Sequence, residues 1–368
     1  MQLLSDISRD ARHEKKKPGS YEWWYFDGIS EDGKYQLVII FYDGCPFSTQ
    51  YVRNMELDPE SDRALSSGYP AISISLYQKG VPIFYCLSQY PPGQCSFNDH
   101  SPAVTVGENT MSYTERESYG SMTGGSFDLR INERLPSGDE IKGIITFSGM
   151  SPNERLFAGQ GSTSDDHIWN LIFPRSSMQC RVNVMKNGLI VKDLIFSGTG
   201  YHDHNVGSEP MKESFRDWYW GRVHFPQATL VYYVMNKKSG QNCRAWLLSP
   251  DNRRLLHTLE LVDMSRRRFN GFLLRSARKL HLKDNETEIE VHHHTLMDSG
   301  PFYCRYLSGA ALKHPALGTE TAEGIAEYIR PQRIHRRIFW PLVHMRIRYA
   351  DQKPHWVQKS ARLYRWTW

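Results

Sequence analysis

Short runs in which apolar and polar side chains alternate recur along most of the chain. A period of two residues is typical of a β-strand with one buried face, whereas a helix repeats about every 3.6 residues. The clearest alternating runs are residues 35–42, 71–77, 81–87, 126–131, 140–147, 178–185, 229–235, 244–248 and 289–296. These runs predict a protein built mainly of strands.

Turn-forming residues separate the predicted strands at short intervals. Asn187-Gly188 is the clearest case, because it lies between two alternating runs and both residues tolerate the positive φ of a type I′ turn. Similar signals occur at 78–80 and 136–139. Helical periodicity is scarce, and residues 319–329 are the one stretch that combines a capping Thr with good helix formers. The pattern therefore predicts an all-β sandwich or barrel fold with few short helices.

The length of the chain bears on its domain organisation. A chain of 368 residues is too long for one ordinary core and suits two domains. Each half opens with a strand after a polar stretch, near residue 20 and near residue 178. We therefore predict an N-terminal arm over 1–19, a first domain over 20–177 and a second domain over 178–368, which ends in a basic strand region. No Gly-rich phosphate loop stands between a strand and a helix, which disfavours nucleotide-binding α/β folds.

Composition and charge restrict the partners of the protein. The formal charge of +5 is small for this length, so composition does not support a nucleic-acid partner. Aromatic residues form 12% of the chain, which indicates either ring-filled cores or a pocket for a hydrophobic small molecule. Basic residues gather late in the chain. The segment 334–349 predicts a late strand with a basic outer face or, as the alternative, a peripheral contact with a membrane.

Cysteine use and the N-terminal sequence bear on location. The 6 cysteines lie far apart without a CxxC pair, and we interpret them as reduced, buried thiols. The first residues lack the apolar centre of an export signal, and no run approaches about 18 apolar residues. We expect a cytoplasmic protein whose membrane association, if any, is the peripheral contact described above.

The densest group of chemically active residues is the segment GTGYHDHNVG. A carboxyl group surrounded by aromatic rings loses solvation of its anion, so its pKa rises and it donates a proton near neutral pH. Asp203 is the candidate acid. On a strand, His202 and His204 point away from Asp203, and we expect Tyr201 on the face of the histidines. In a turn, either histidine contacts the acid.

Two further segments supply aromatic and charged side chains. The segment WYWGR contributes Trp218, Trp220 and Arg222, close in sequence to the candidate acid. The segment SYEWWYFDG places Glu22 and Trp24 on one face of a predicted strand, so that one tryptophan packs into a core while the next faces a cavity.

Other catalytic patterns are weaker. His292, His293 and His294 lack a typical zinc spacing, so neither a metal nor another cofactor is predicted. No GxSxG elbow is present, which disfavours serine hydrolysis. Asp165 and Asp166 are paired carboxylates of the kind used in glycoside chemistry, but adjacent acids are more typical of a solvated loop.

The segments SYEWWYFDG, GTGYHDHNVG followed by WYWGR, and the late GTETAEGIAEYI resemble the hydroxyneurosporene synthase family of carotenoid 1,2-hydratases. The resemblance implies two packed lipocalin-like domains and an isoprenoid-type or similarly apolar substrate. In these enzymes the aspartate of the GYxDHN-type motif is the acid that protonates a terminal C=C bond before water captures the tertiary cation. The resemblance gives that role to Asp203.

We therefore hypothesise an acid-catalysed hydratase or cyclase that acts on a C=C bond. Asp203 donates the proton, Tyr201 and His204 orient it, and aromatic rings within about 6 Å stabilise the cation. The predicted substrate-binding residues are Glu22, Trp24, His202, Asn205, Trp218, Trp220, Arg222 and Glu327. Two other functions fit the same sequence: a pericyclase of the Diels–Alderase kind that works by confinement, and a carrier that returns its apolar ligand unchanged.

Overall fold

The computed structural model describes residues 1–119, 122–152, 157, 167–237 and 240–367. Strands account for 58% of the chain and helices for 14%, which confirms the predicted all-β class. A large curled sheet and a closed barrel dominate the described residues, with a two-stranded ribbon beside them. The paired acids Asp165 and Asp166 lie outside the described residues.

The large sheet contains 13 strands within the described part of the chain. They are β1 (Gln2–Leu4), β2 (Tyr21–Ser30), β3 (Tyr35–Tyr42), β4 (Ala71–Gln78), β5 (Val81–Gln89), β6 (Cys95–Phe97), β7 (Ala103–Val106), β8 (Asn109–Tyr119), β9 (Met122–Arg134), β10 (Asp139–Met150), β11 (His167–Lys186), β12 (Leu189–Gly207) and the late β23 (Ile347–Tyr349). The order across the sheet is β23-β5-β4-β3-β2-β12-β11-β10-β9-β8-β7-β6, and β1 pairs with β11. Strand β12 therefore lies centrally, between β2 and β11.

The closed barrel follows in the chain. Its strands are β13 (Asp217–His224), β14 (Thr229–Lys237), β15 (Gly240–Leu248), β16 (Leu255–Ser265), β19 (Lys279–Lys283), β20 (Glu288–Ser299), β21 (Tyr303–His314) and β22 (Gly318–Ile329). The barrel closes because β13 pairs with both β14 and β22. The ribbon consists of β17 (Arg268–Phe269) and β18 (Arg275–Ser276).

Helices are short accessories, as the alternating pattern predicts. The described α-helices are α1 (Thr49–Leu57), α2 (Met211–Ser214), α3 (Trp340–Arg346) and α4 (Ala361–Trp366). Single 3-10 turns occur at Ile7–Arg9, Asp62–Ala64, Ser66–Gly68, Pro92–Gln94, Pro331–Arg333, Arg337–Phe339 and Trp356–Lys359. None of the described helices is long and apolar enough to cross a bilayer.

Two local predictions were wrong. Residues 319–329 belong to strand β22 rather than a helix, because β13 and β21 satisfy their backbone on both sides. The segment 334–349 is mostly 3-10 turn and helix α3, with Ile347–Tyr349 as its strand. Pro341 lies in the first turn of α3, where its missing N–H costs nothing and its fixed φ favours the helix.

The passage from sheet to barrel lies later than the predicted domain boundary. The predicted boundary between residues 177 and 178 falls inside β11, which pairs with β10 and β12 on both sides of that point. The chain leaves the large sheet after Gly207 and enters the barrel at Asp217. Strands β11 and β12 form one long hairpin, and its turn has φ 50° at Asn187 and 80° at Gly188, as predicted for a type I′ turn.

The two units pack through side chains on the outside of the barrel. Along β13, Tyr219 and Val223 point into the barrel and join its own apolar core. Trp218 and Trp220, which point to the other side of the same strand, join the core of the large sheet instead. The alternation of a single strand therefore fills the barrel with one set of side chains and attaches it to the sheet with the other.

Candidate active site

A cavity of about 100 Å³ lies between the large sheet and the barrel. One water molecule needs roughly 10–15 Å³, so the cavity has room for part of an organic ligand. Three regions form its wall: β2 to β5 with β12, the barrel strands β13, β14 and β20 to β22, and the segment of α3 and β23. The cavity therefore lies where the large sheet meets the barrel.

Among the described residues, three carboxyl groups line this cavity, and two of them have a cationic partner. Glu327 accepts a hydrogen bond from Arg305 Nε at 2.9 Å, and Asp298 pairs with Arg346 Nη2 at 2.6 Å. Asp203 differs, because the described groups that bond it are neutral donors. Asp203 is therefore the lining carboxyl group best suited to hold a proton.

The hydrogen bonds of Asp203 distinguish its two oxygens. Trp169 Nε1 and Tyr201 Oη both donate to Oδ2, each at 2.7 Å. Asn205 Nδ2 donates to Oδ1 at 2.9 Å. Since Oδ2 already accepts two bonds, Oδ1 is the oxygen with more capacity for a proton. The same donors stabilise the carboxylate once that proton has left.

Burial sets the pKa of Asp203. The side chain is 3% exposed, and loss of solvation raises its pKa to about 7, although the bonds from Tyr201 and Trp169 oppose this. The nearby carboxyl groups of Glu327 and Asp27 raise the pKa further by repulsion. At neutral pH a substantial fraction of Asp203 therefore carries a proton, as a general acid requires.

Aromatic rings surround the acid. Trp218 and Tyr233 stack with centroids 6.2 Å apart, and Trp220 lies 4.9 Å from Tyr25. All four rings line the cavity, together with Trp23. The faces of these rings attract cations, and their apolar surface excludes water. This part of the wall therefore suits a carbocation on an apolar substrate better than it suits a hydrated inorganic ion.

Another part of the cavity wall is polar. Tyr303 Oη and Tyr25 Oη donate to Glu327 Oε1 at 2.6 and 3.2 Å, and Arg305 donates to the same oxygen. Arg305 also donates from Nη1 to Ser75 Oγ and Tyr77 Oη, which belong to the large sheet. This network crosses from the barrel to the sheet and fixes the polar wall in place.

The predicted site residues divide into two groups. Asp203, Asn205, Trp218, Trp220 and Glu327 line the cavity. The remaining predicted residues do not line it: Tyr201, His204, Glu22, Trp24, His202 and Arg222.

Tyr201 lies behind the acid, on its face of β12. Its Oη bonds Asp203, and its ring lies 5.1 Å from Trp220. The expectation that Tyr201 shares the face of the histidines was wrong, since residues two apart on a continuous strand point the same way. Arg222 also lies behind the cavity, where Nε donates to Asp27 Oδ1 at 2.7 Å, and the pair is fully buried.

His204 and Glu22 lie on the other face of the paired strands, inside the first domain. His204 Nε2 lies 2.9 Å from Glu22 Oε1, and His204 Nδ1 lies 3.2 Å from Asp10 Oδ1. Burial opposes the charge of His204, but these two carboxylates raise its pKa to about 9. The predicted contact of His204 with Asp203 is therefore replaced by an ion pair in the N-terminal core.

His202 and Trp24 occupy the same interior face. His202 stacks on Phe26 with centroids 3.9 Å apart, and its Nε2 lies 3.1 Å from Asp10 Oδ2. Trp24 stacks on His204 at 4.5 Å and donates from Nε1 to the backbone oxygen of Asp10. Alternation along β2 and β12 turns these side chains away from the cavity. The prediction that His202 and Trp24 contact the substrate was therefore wrong.

Among the described residues, two groups bring three metal-ligand side chains together. The ligand atoms of His13, Glu22 and His204 lie within 4.8 Å of one another, and so do those of a second group, His257, Glu286 and His314. The first group already contains a cation, because the Lys15 ammonium contacts Glu22. A protonated His204 and Lys15 thus fill the role that a metal ion would have there.

Sequence reasoning missed Trp169, Arg305, Asp298 and Arg346. Trp169 follows His167 in β11 and bonds the acid across the strand pair. No alternating run was identified around Trp169, and its partner lies 34 residues away in sequence. The two arginines are unremarkable in sequence, and only the packing of barrel and C-terminal segment brings them to the cavity.

Comparison with curated proteins gives several distant relatives. The hydroxyneurosporene dehydrogenase of Chlorobaculum tepidum is 27% identical over 92% of this chain and 90% of its own length. The acyclic carotenoid 1,2-hydratase of Thiocapsa roseopersicina is 27% identical over 64% of this chain and 53% of its own length. The chain thus spans about half of that hydratase.

Solved structures share the fold. A putative AttH protein from Nitrosomonas europaea has a TM-score of 0.58, with 14% identity over 89% of this chain and 97% of its own. CghA has a TM-score of 0.54, with 11% identity over 89% of this chain and 97% of its own. These similarities confirm the lipocalin-like architecture.

A family model gives the assignment. The model described as carotenoid hydratase CrtC matches residues 83–356, well over half of the chain. The match includes Asp203 and the aromatic residues of β13. The chain therefore belongs to the carotenoid hydratase family, a family of enzymes, as the three sequence motifs predicted.

Proposed function

We propose that this protein protonates a C=C bond of an apolar, isoprenoid-type substrate in the interdomain cavity, with Asp203 as the acid. The observation that carries the proposal is a buried carboxyl group with a pKa of about 7 that faces aromatic rings and lacks a cationic partner among the described residues. A general acid works best when its pKa lies near the working pH.

The reaction balances without a cofactor. The O–H bond of Asp203 breaks as its proton forms a C–H bond with one alkene carbon, and the other carbon becomes a tertiary cation. Water then forms the new C–O bond, and the proton that it loses returns to the Asp203 carboxylate. Tyr201 and Trp169 stabilise that carboxylate in the interval by hydrogen bonds.

The rings and the polar wall have separate roles in this proposal. Trp218, Trp220 and Tyr25 stabilise the cation through their faces. Glu327 and Arg305 hold a polar group, which is the attacking water in a hydration. The substrate class rests on the relatives, because the hydratase of Thiocapsa roseopersicina is described as acting on acyclic carotenoids.

A second candidate is cyclisation or rearrangement of an oxygenated substrate by the same acid. The two arginine–carboxylate pairs in the wall favour it, since a substrate oxygen would hydrogen-bond there. One relative, from Emericella nidulans, is described as a quinolone epoxide rearrangement protein and is 24% identical over 63% of this chain. In this reaction an internal nucleophile captures the cation.

The test is mass spectrometry of products formed in water labelled with heavy oxygen. Purified protein is incubated with acyclic carotenes and with oxygenated polyenes, alongside the Asp203→Asn variant. A product that gains one labelled water supports hydration, and an isomer of unchanged mass supports cyclisation. If the protein returns every compound unaltered, or if Asp203→Asn retains full turnover, the proposed chemistry is excluded; turnover that does not depend on pH points to a pericyclase.

A further inference from the structure

The long β11–β12 hairpin ends in an apolar tip, which we define as residues 186–192. Leu189, Ile190 and Val191 are exposed by 73, 59 and 58%. Strand β2 ends opposite Gly198, so the first part of β12 extends beyond β2 and, among the described strands, pairs only with β11 there. The tip therefore exposes a run of large aliphatic side chains where a solvated turn would be expected.

The apolar tip is exposed on both faces. Consecutive residues of a strand point to opposite sides, so three consecutive exposed aliphatic residues leave neither side polar. A flat protein partner covers one side of a strand. A medium that surrounds the tip covers both sides, and the outer hydrocarbon region of a lipid bilayer is such a medium.

The apolar tip also carries basic residues. Lys186 and Lys192 flank the three aliphatic residues, and Lys192 Nζ donates to Gln78 Oε1 at 3.1 Å. Gln78 adjoins the β4–β5 turn, where Lys79 stands beside Val81, itself 63% exposed. Two adjacent turns thus combine apolar side chains with lysines, the combination that attracts anionic lipid headgroups.

The C-terminal helix α4 adjoins the same end of the sheet. Arg365 Nη2 lies 3.6 Å from Asp139 Oδ1, and Lys186 Nζ lies 3.0 Å from the same oxygen. The next residue, Trp366, is 76% exposed. Tryptophan is enriched at membrane–water interfaces, and arginine is attracted to anionic headgroups.

We propose that the apolar tip inserts into the surface of an anionic bilayer, with α4 beside it at the headgroups. A second copy of the chain fits less well, because Lys192 and Asp193 place charges in the exposed edge of β12 and the bond to Gln78 blocks that edge. This interaction surface is separate from the acid chemistry and stands without it.

The structure links this surface to the cavity. Tyr364 of α4 donates from Oη to the backbone oxygen of Arg346 at 2.9 Å, and Arg346 lines the cavity. A bilayer that contacts α4 therefore lies one helix away from the cavity wall. An apolar substrate dissolved in that bilayer would have a short path to the site.

The test is flotation of the full chain with vesicles of phosphatidylcholine alone and of phosphatidylcholine mixed with phosphatidylglycerol. We expect flotation with the anionic vesicles that weakens in high salt. The tip variant Leu189→Ser/Ile190→Ser/Val191→Ser should bind at least about tenfold more weakly, because it loses the aliphatic area that enters the lipid. The substitution Lys192→Gln should weaken binding about fivefold.

The matched control removes three equally apolar residues elsewhere. Leu57, Val262 and Phe269 are exposed by 61, 48 and 63% and lie away from the tip in the chain. Their serine variant should float as the unaltered protein does, and circular dichroism should show that both triple variants fold. The proposal is overturned if the unaltered protein binds neither vesicle, or if the tip variant still floats fully. Light scattering that shows a dimer, lost only in the tip variant, would assign the tip to self-association instead.

Discussion

Asp203 and Glu22 are buried carboxyl groups on the two directly paired strands β12 and β2, yet they face opposite sides of the sheet. Asp203 is 3% exposed in the interdomain cavity, and burial raises its pKa to about 7. Glu22 is fully buried inside the first domain. There burial alone would raise its pKa, but hydrogen bonds from His13 and His204 and the charge of Lys15 hold it far below the usual range.

The difference lies in the charge of the neighbours. Both carboxyl groups are hydrogen-bonded, so the number of donors does not separate them. Asp203 meets neutral Trp, Tyr and Asn donors, whereas Glu22 meets the Lys15 ammonium and the cationic His204. Burial makes a catalytic acid only where the surroundings supply hydrogen bonds without a compensating charge.

The largest effect that tests this comparison is loss of turnover. Asp203→Asn keeps the shape of the side chain but removes the acidic proton, so turnover should fall by about 10²- to 10⁴-fold. Steady-state kinetics measures this, and fluorescence titration with a substrate should show binding within about threefold of the unaltered protein. Equal loss of binding and turnover would give Asp203 a binding role only.

The reciprocal substitution, Glu22→Gln, should act on stability rather than chemistry. It removes one of the two carboxylates that contact Lys15 and one of the two that contact His204, which costs up to about 3–5 kcal/mol in the free energy of unfolding. Urea denaturation measures this loss, and turnover per folded molecule should remain near normal. A stable Glu22→Gln protein without activity would contradict the assignment of Glu22 to stability and of Asp203 to chemistry.

The pH dependence should follow Asp203. Turnover requires the protonated acid, so it should fall as pH rises above about 7. A folded-state pKa raised above its ordinary 3.8 stabilises the protein at low pH, and that contribution is lost as pH rises from about 4 to about 7. Relative to Asp203→Asn, the unaltered protein should therefore lose up to about 4 kcal/mol across this window. If the free energies of unfolding of the two proteins change with pH in parallel, a raised pKa of Asp203 is excluded.

The smallest effect concerns the neutral donors. Tyr201→Phe removes a hydrogen bond that favours the Asp203 carboxylate, so the alkaline limb of the pH–rate profile should move up by about one pH unit. Turnover should fall about tenfold, since the conjugate base is less stable. Tyr303→Phe, which removes a donor from Glu327 instead, is the control and should leave the limb in place.

Much of the fold was predictable because its signals are local. Alternation gave strands such as β3, whose predicted bounds match the observed ones, and Asn187-Gly188 gave the turn of the long hairpin. The late segment 319–329 shows the limit of such reasoning, since its composition favours a helix in isolation. Pairing with β13 and β21 outweighed that preference, as tertiary context commonly does for weak helix formers.

For the candidate site, the motif in β12 pointed to Asp203, but the hypothesis also gave His204 a contact with this acid, and the structure places His204 on the other face of the strand. Periodicity does not say which face meets which neighbour. On the interior face, Asp10 of the N-terminal arm pairs with His204, and His13 and Lys15 of the same arm contact its partner Glu22. Those contacts depend on where a remote segment packs.

Local patterns in the chain were enough to establish the class of fold, the family and the candidate acid, because period-two alternation, turn chemistry and a short motif are properties of neighbouring residues. Folding then selected the lining carboxyl group that has no countercharge among the described residues. Arg305 reaches Glu327 and Arg346 reaches Asp298, while neutral side chains reach Asp203. A pKa depends on the dielectric and the charges within a few ångströms, and only folding brings those groups together.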